Sequence, residues 1–224
     1  MILWNLDLLF DDPVVFFTVI PLAIIALLPM LVFHEVSHGY VANWLGDPTA
    51  KYLGRLSLNP LQHLDKTGTL MLLLIGFGWA KPVPVNANSL GMDPRKGMAI
   101  VGAAGPASNF LMALVFSIIY RAASIDLPNN WDALSFSDSL GVLIFLIVQI
   151  NIVLGVLNLI PVPPLDGYRI AVGILPYEYA RSLAQAEKYA PQIILVFVLL
   201  LMFTNILGGM VGVLVNAFLG QDIY

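Results

Sequence analysis

The chain has 224 residues, of which 59% are hydrophobic and only 11% are charged, and its formal net charge is −4. Soluble domains carry about 25% charged residues, so the composition excludes a soluble globular protein and indicates an integral membrane protein. The 10 lysines and arginines form no basic stripe, which argues against a nucleic-acid partner. There is no cysteine, so disulfides are excluded and any bound zinc must use His, Asp or Glu.

Four long stretches with almost no charge predict membrane-spanning helices, because about 20 apolar residues cross a bilayer. We expect one domain, residues 1–224, with spans at about residues 14–44, 97–120, 139–160 and 191–219. In the last span, Gly208 and Gly209 predict a break or a bend. The chain is therefore expected to be an all-α polytopic protein embedded in a lipid bilayer.

The first stretch ends in the sequence HEVSH at residues 34–38. His34 and His38 are four residues apart, so on a helix they share one face and can bind a single zinc ion. Glu35 lies beside that pair, where a general base would act on water held by the metal. A histidine in an apolar helix is more often a core residue, but polar groups inside a membrane segment are costly and usually functional.

The region between the first two spans predicts two smaller features. Residues 67–80 are apolar but too few to cross a bilayer, which favours a re-entrant or interfacial segment. In residues 81–86 proline alternates with valine, which excludes a helix and a central strand and predicts a small edge-strand region.

The third stretch ends in a proline-rich turn that places Asp166 on irregular backbone. A catalytic zinc usually has three protein ligands, and Asp166 is our choice for the third. The neighbouring glycine also suits a simple Asp-Gly turn, and the local sequence alone favours that turn over a metal ligand.

The cations predict the orientation of the spans. Nine of the 10 lysines and arginines fall in two loops, residues 46–96 and 161–190, which lie on the same side if four spans alternate. The positive-inside rule makes that side cytoplasmic. Both metal-binding elements, at the ends of the first and third spans, then face the cytoplasm.

The paired motifs resemble the site-2 protease family of intramembrane zinc metalloproteases, in its compact bacterial branch without a PDZ domain. The resemblance rests on HEVSH at residues 34–38 and NLIPVPPLDG at 158–167, supported by NPLQHLD at 59–65, GWAKPVPVN at 78–86 and GPASN at 105–109. It covers about residues 20–219.

The resemblance implies one zinc ion per chain, bound by His34, His38 and Asp166, with Glu35 as the catalytic base. It also implies cleavage of peptide bonds in or near transmembrane segments of partner proteins, in a bacterial plasma membrane. The sequence does not name the substrate or indicate an oligomeric state.

Further candidate residues follow from the need to hold an unwound substrate. A strand at residues 83–86 could pair with it through Val83, Val85 and Asn86. Asn109 and Asn158 could hydrogen-bond the substrate backbone or the developing oxyanion, or simply join helices. His63 could be a fourth metal ligand, a proton shuttle or a surface residue in a loop, and its flanking Asn-Pro and Asp fit an ordinary turn.

Two other functions remain open on the residues alone. The polar groups in the spans could line the path of an ion channel or transporter, although we see no inverted repeat. A catalytically silent family member that only binds membrane proteins is the second alternative, and the intact Glu35 argues against it.

Overall fold

The computed structural model describes residues 10–75, 78–128, 134–204 and 206–221. The described part is helical, as predicted, and the helices are numbered here in chain order. They are α1 (Pro13–Trp44), α2 (Thr49–Tyr52), α3 (Lys66–Ile75), α4 (Pro94–Ala122), α5 (Phe136–Leu159), α6 (Asp166–Ile174), α7 (Tyr177–Gln185), α8 (Ala190–Phe203) and α9 (Ile206–Leu219). Short 3₁₀ turns lie at Pro60–Gln62, Ala87–Ser89 and Ala186–Tyr189.

Local sequence explains where the three longest helices begin. Asp12 and Asp93 accept hydrogen bonds from the first turns of α1 and α4, and each is followed by proline, which suits the first helical position. Ser135 and Asp138 form a capping box at the start of α5. These helices are 32, 29 and 24 residues long and apolar enough to cross a membrane.

Helices α1, α4 and α5 pack against one another and form the centre of the bundle. Helix α6 packs mainly on α4, and α9 packs on α4 and α5. The largest apolar cluster lies between α4, α5 and α9 and is built from Ala113, Tyr120, Ile144, Val148, Ile152, Val156, Val211, Val215 and Leu219. This cluster holds α4, α5 and α9 together, and α1 and α6 both pack on α4.

The fourth span differs from the expected single helix with a bend at Gly208 and Gly209. The break lies at Thr204, whose backbone is extended (φ −124°, ψ 145°). The Thr204 N–H and Oγ1 both donate to the Leu200 carbonyl, at 3.0 and 2.8 Å, as the last bonds of α8, and the extended backbone at Thr204 ends the helix. Among the described elements, α8 makes its main contacts with the preceding 3₁₀ turn, whereas α9 rejoins the bundle. The stretch Tyr177–Leu201 is still long and apolar enough to span a membrane.

The segment between α1 and α4 turns back on itself, as expected for a re-entrant element. An antiparallel bridge between Leu64 and Ala80 brings its two ends together. Gly68 and Gly78 permit the close contact of α3 with the returning chain, because a Cβ at Gly68 would collide with the Trp79 carbonyl.

The predicted edge strand does not form within the described ranges, where this isolated bridge is the only β-type pairing. Pro82 and Pro84 have no N–H to offer a ladder. The N–H groups of Val83 and Asn86 donate instead to the side chains of Glu35 and Asp47.

Candidate metal centre

Helix α1 places His34 and His38 one turn apart on its buried face. Only 6% and 4% of their surfaces are exposed, and their Nε2 atoms lie 3.2 Å apart. The two rings meet edge to face, with their centroids 4.8 Å apart. The pair therefore presents two imidazole nitrogens to one point inside the bundle.

Asp166 reaches the same point from the first residue of α6. Its Oδ2 lies 3.0 Å from Nε2 of His34 and 3.2 Å from Nε2 of His38. Gly167 allows this approach, because a Cβ there would collide with the Leu159 carbonyl at the end of α5. The sequence-predicted ligand set is thus brought together in space, and these three residues form a group able to hold a metal ion.

Several contacts fix α6 and so hold Asp166 in place. Arg95 of α4 donates to the carbonyls of Val172 and Leu175, both at distances under 3 Å from its Nη2. The Tyr168 hydroxyl donates to Oε2 of Glu187 at 3.3 Å. Burial and the nearby Glu187 carboxylate raise the pKa of Tyr168 to about 12, and a tyrosine hydroxyl is protonated at neutral pH even at its ordinary pKa of about 10.

A chain of buried amides sets the tautomer of His34. Asn151 Nδ2 donates to the Ile147 carbonyl at 2.8 Å, and Asn109 Nδ2 donates to Asn151 Oδ1 at 3.2 Å. Asn109 Oδ1 is then left to accept from Nδ1–H of His34 at 2.6 Å. Because a backbone carbonyl can only accept a hydrogen bond, the Ile147 oxygen fixes which atom donates and which accepts in each hydrogen bond of this series. The Nε2 atom of His34 consequently carries a lone pair.

The donor atoms fit a zinc ion. His38 donates Nδ1–H to the Val101 carbonyl at 2.6 Å, so its Nε2 also carries a lone pair. Asp166 Oδ2 is buried and has no hydrogen-bond partner. Three electron-rich atoms about 3 Å apart repel one another unless a cation lies between them. Tetrahedral zinc with bonds of about 2.0–2.1 Å places its ligands about 3.3 Å apart, close to the separations in this site.

Gly105 of α4 lies directly against the rings of His34 and His38. A Cβ at this position would lie 2.5 Å from His34 Cε1 and 2.5 Å from His38 Nε2. In the sequence, Gly105 belongs to the GPASN motif and to a set of small residues suited to helix packing, and nothing there indicates contact with the histidines. Asn151 was likewise one of several polar residues in its span, with nothing to single it out.

Glu35 lies next to the histidines but is not part of the ligand group. It is half-buried, and its Oε2 accepts a hydrogen bond from Val83 N–H at 3.0 Å. This hydrogen bond holds the carboxylate through Oε2, and Oε1 has no hydrogen-bond partner among the described residues.

The remaining candidate residues have different surroundings. His63 is 1% exposed, donates Nε2–H to the Ser57 carbonyl at 2.7 Å, and is outside the group of candidate ligands found among the described residues. Asn109 is 1% exposed and makes both of its contacts inside the bundle. Asn158 is half-buried and donates to the Leu154 carbonyl at 3.0 Å. The Asn86 side chain is exposed and caps the 3₁₀ turn that follows it.

Comparison with known proteins decides the family. The chain is 38% identical over 197 residues to the "Putative zinc metalloprotease YwhC" of Bacillus subtilis (strain 168), covering 87% of this chain and 85% of that protein. The profile of Peptidase family M50 matches residues 122–202, which include Asp166. The chain belongs to the M50, or site-2 protease, family. It is an integral membrane zinc metalloprotease, as the resemblance predicted, and the channel or transporter alternative is set aside.

Other M50 relatives are more distant. The "Putative zinc metalloprotease Rip2" of Mycolicibacterium smegmatis is 30% identical, over 84% of this chain and 70% of that protein. "Zinc metalloprotease MJ0392" of Methanocaldococcus jannaschii is 27% identical, over 78% of this chain but 41% of its own length. No solved structure matches this chain significantly.

Proposed function

We propose that this M50 protease cleaves peptide bonds in or near transmembrane segments of partner proteins, and that the whole chain forms one such domain. The observation that carries the proposal is the position of the ligands on a membrane-spanning helix. His34 lies 21 residues after Pro13 in α1, or ~32 Å along the axis at 1.5 Å per residue. The hydrocarbon core is about 30 Å thick, so with Pro13 at one of its edges the site lies near the opposite edge.

We propose the following roles for the residues of the site. His34, His38 and Asp166 hold a single zinc ion, which when bound supplies Lewis acidity that lowers the pKa of a coordinated water to about 7. Asn109 orients His34 and does not contact substrate, since both ends of its amide are engaged within the bundle.

Glu35 is the proposed general base. Its Oε1 takes a proton from the attacking water as the new C–O bond forms at the scissile carbonyl. The same carboxyl then returns the proton to the departing amine as the C–N bond breaks, which leaves a carboxylic acid and an amine. The assignment is supported by the position of Glu35 directly after His34 in α1 and by the hydrogen bond that holds its other oxygen, Oε2.

The surroundings of the site offer a route for a membrane-embedded substrate. An apolar groove of about 320 Å³ lies between α8 and Val162, four residues before Asp166. Because α8 packs little on the described bundle, a partner helix can approach Val162 and the chain that leads to Asp166 from the bilayer.

The 81–86 segment offers a second contact for the substrate. Val85 N–H makes no hydrogen bond within the described part of the chain, and we propose it as a donor to the unwound substrate.

The function is tested by a Glu35→Gln variant. Loss of the base is expected to reduce cleavage about 10²- to 10⁴-fold, while the variant keeps its zinc. The measurement is cleavage of a single-span reporter protein in reconstituted vesicles, followed by a proteomic search for membrane proteins that accumulate with the variant. Glu178→Gln, on the exposed face of α7, is the matched control and retains wild-type cleavage. Undiminished cleavage by Glu35→Gln contradicts the proposal.

We also propose that the protein resides in a bacterial cell membrane with its active site toward the cytoplasm, on the basis of the loop cations. Because the chain has no native thiol, single cysteines report the topology cleanly. An impermeant thiol reagent added to intact cells is expected to label Ala123→Cys and to spare Asn88→Cys, both exposed positions at opposite ends of α4. Labelling of Asn88→Cys and not of Ala123→Cys would show that the protein has the opposite orientation in the membrane.

A further inference from the structure

The 81–86 segment touches the catalytic machinery through one backbone group. Val83 N–H donates to Glu35 Oε2 at 3.0 Å, across 48 positions of sequence. The Val83 side chain is 7% exposed and packs on α1 at Gly39, where a Cβ would come within 3.0 Å of its Cγ1. The segment is therefore seated directly on the helix that carries Glu35 and the histidines.

Contacts on both sides of Val83 fix the backbone that makes this hydrogen bond. Lys81 N–H donates to the His63 carbonyl at 2.7 Å. Arg55 Nη2 donates to the carbonyls of Lys81 and Pro82, at 2.6 and 3.3 Å. Further along, Asn86 N–H donates to Asp47 Oδ2 at 2.6 Å.

The two side chains that anchor the segment, Arg55 and Asp47, are only 9% and 0% exposed, and polar groups of this kind are costly to bury. His63, whose backbone carbonyl accepts from Lys81 N–H, is 1% exposed. Arg55 also donates through Nη1 to the Gln62 carbonyl, so its guanidinium joins the chain before α3 to the chain after it. A loop that merely covered the helix would not need a buried guanidinium on its carbonyls.

The prolines make Val83 the single donor at this point. Pro82 and Pro84 have no N–H, so the residues on either side cannot compete for the carboxylate. They also restrict φ, which reduces the number of conformations in which Val83 N–H leaves Glu35. Val85 N–H is the next donor along the segment, and it has no partner among the described residues.

We propose that the 81–86 segment is a positioning element for the general base. Val83 N–H holds Glu35 Oε2, leaves Oε1 for the proton of the attacking water, and is itself kept in place by Arg55 and His63. Val83 N–H thus hydrogen-bonds the general base, whereas Val85 N–H is free to hydrogen-bond the substrate. The inference rests on the proposed role of Glu35 and assigns to buried Arg55 and His63 a task that zinc binding does not.

Two proline variants in the same segment separate these roles. Val83→Pro removes the N–H bound to Glu35 and is expected to lower kcat about 10- to 100-fold, the loss of one hydrogen bond to a charged group, with KM and zinc content little changed. Val85→Pro removes the unpaired N–H and is expected to raise KM. Val83→Ala, which trims the side chain but keeps the N–H, is expected to lose far less kcat than Val83→Pro. The probe is a reporter peptide with a single apolar span, cleaved by zinc-loaded protein in detergent.

Several outcomes overturn the inference. The inference fails if zinc-loaded Val83→Pro has a wild-type kcat, or if its only change is in KM. It also fails if Val83→Ala loses as much kcat as Val83→Pro. If Val83→Pro does not retain zinc, Arg55→Gln replaces it, with the same expected loss of kcat and with Arg55→Lys expected to restore part of it. An unchanged kcat for Arg55→Gln then overturns the inference. Failure of the proposed function is distinct, since Glu35→Gln would then cleave normally.

Discussion

A Gly105→Ala variant is expected to lose most of its zinc, although it adds a single methyl group. The new Cβ would lie 2.5 Å from His34 Cε1 and 2.6 Å from His38 Cε1, so both rings must move. Metal–ligand distances tolerate about 0.2 Å of error, and changes that only disturb the surroundings of a ligand already cost 10- to 100-fold in affinity. We expect zinc affinity to fall by more than about 100-fold.

A loss of zinc affinity in Gly105→Ala cannot be explained by a loss of helix stability. Alanine is favoured over glycine inside a helix by about 1 kcal/mol, so a variant that acted only through the backbone would become more stable. Gly209→Ala in α9 is the matched control, because no atom lies within 4 Å of its added Cβ. Competition with a zinc chelator measures both affinities. Wild-type zinc affinity in Gly105→Ala would show that α4 does not press on the histidines.

The main helices and the ligand pair could be predicted because their signals are local. Uncharged stretches of sufficient length set α1, α4 and α5, and the four-residue spacing of His34 and His38 fixes a shared helical face. Asp166 is different, because its local sequence favours a turn. Family resemblance supplied the hypothesis that it is a ligand, and the structure brings its Oδ2 to both histidines.

What sequence reasoning missed depends on contacts between distant parts of the chain. The prolines of residues 81–86 correctly excluded a helix, but nothing local shows that Val83 N–H belongs to Glu35. Gly105 suited close helix packing, yet its neighbours turned out to be the histidines themselves. The break in the last span lies at Thr204, whose extended backbone ends α8 before the two glycines are reached.

The buried amides illustrate the same limit. Asn109 and Asn151 lie in separate helices. Only the packed structure shows that the hydrogen bond between them orients the Asn109 amide, whose Oδ1 then accepts from His34. His63 had three interpretations in the sequence. Its burial and its carbonyl contact with Lys81 N–H instead link it to the segment over Glu35.

The second large effect concerns the zinc itself. A His34→Ala, His38→Ala double variant removes two of the three proposed ligands and leaves Asp166 alone, a weak site for zinc. We expect essentially no bound zinc and no cleavage.

Metal analysis of purified protein therefore tests the central claim most directly, with three proteins compared side by side. Wild type and Glu35→Gln are expected to carry one zinc ion per chain, because Glu35 holds no ligand atom in the site. The double variant is expected to carry none. An unchanged zinc content in the His34→Ala, His38→Ala protein would contradict the account, since the metal would then have to bind elsewhere.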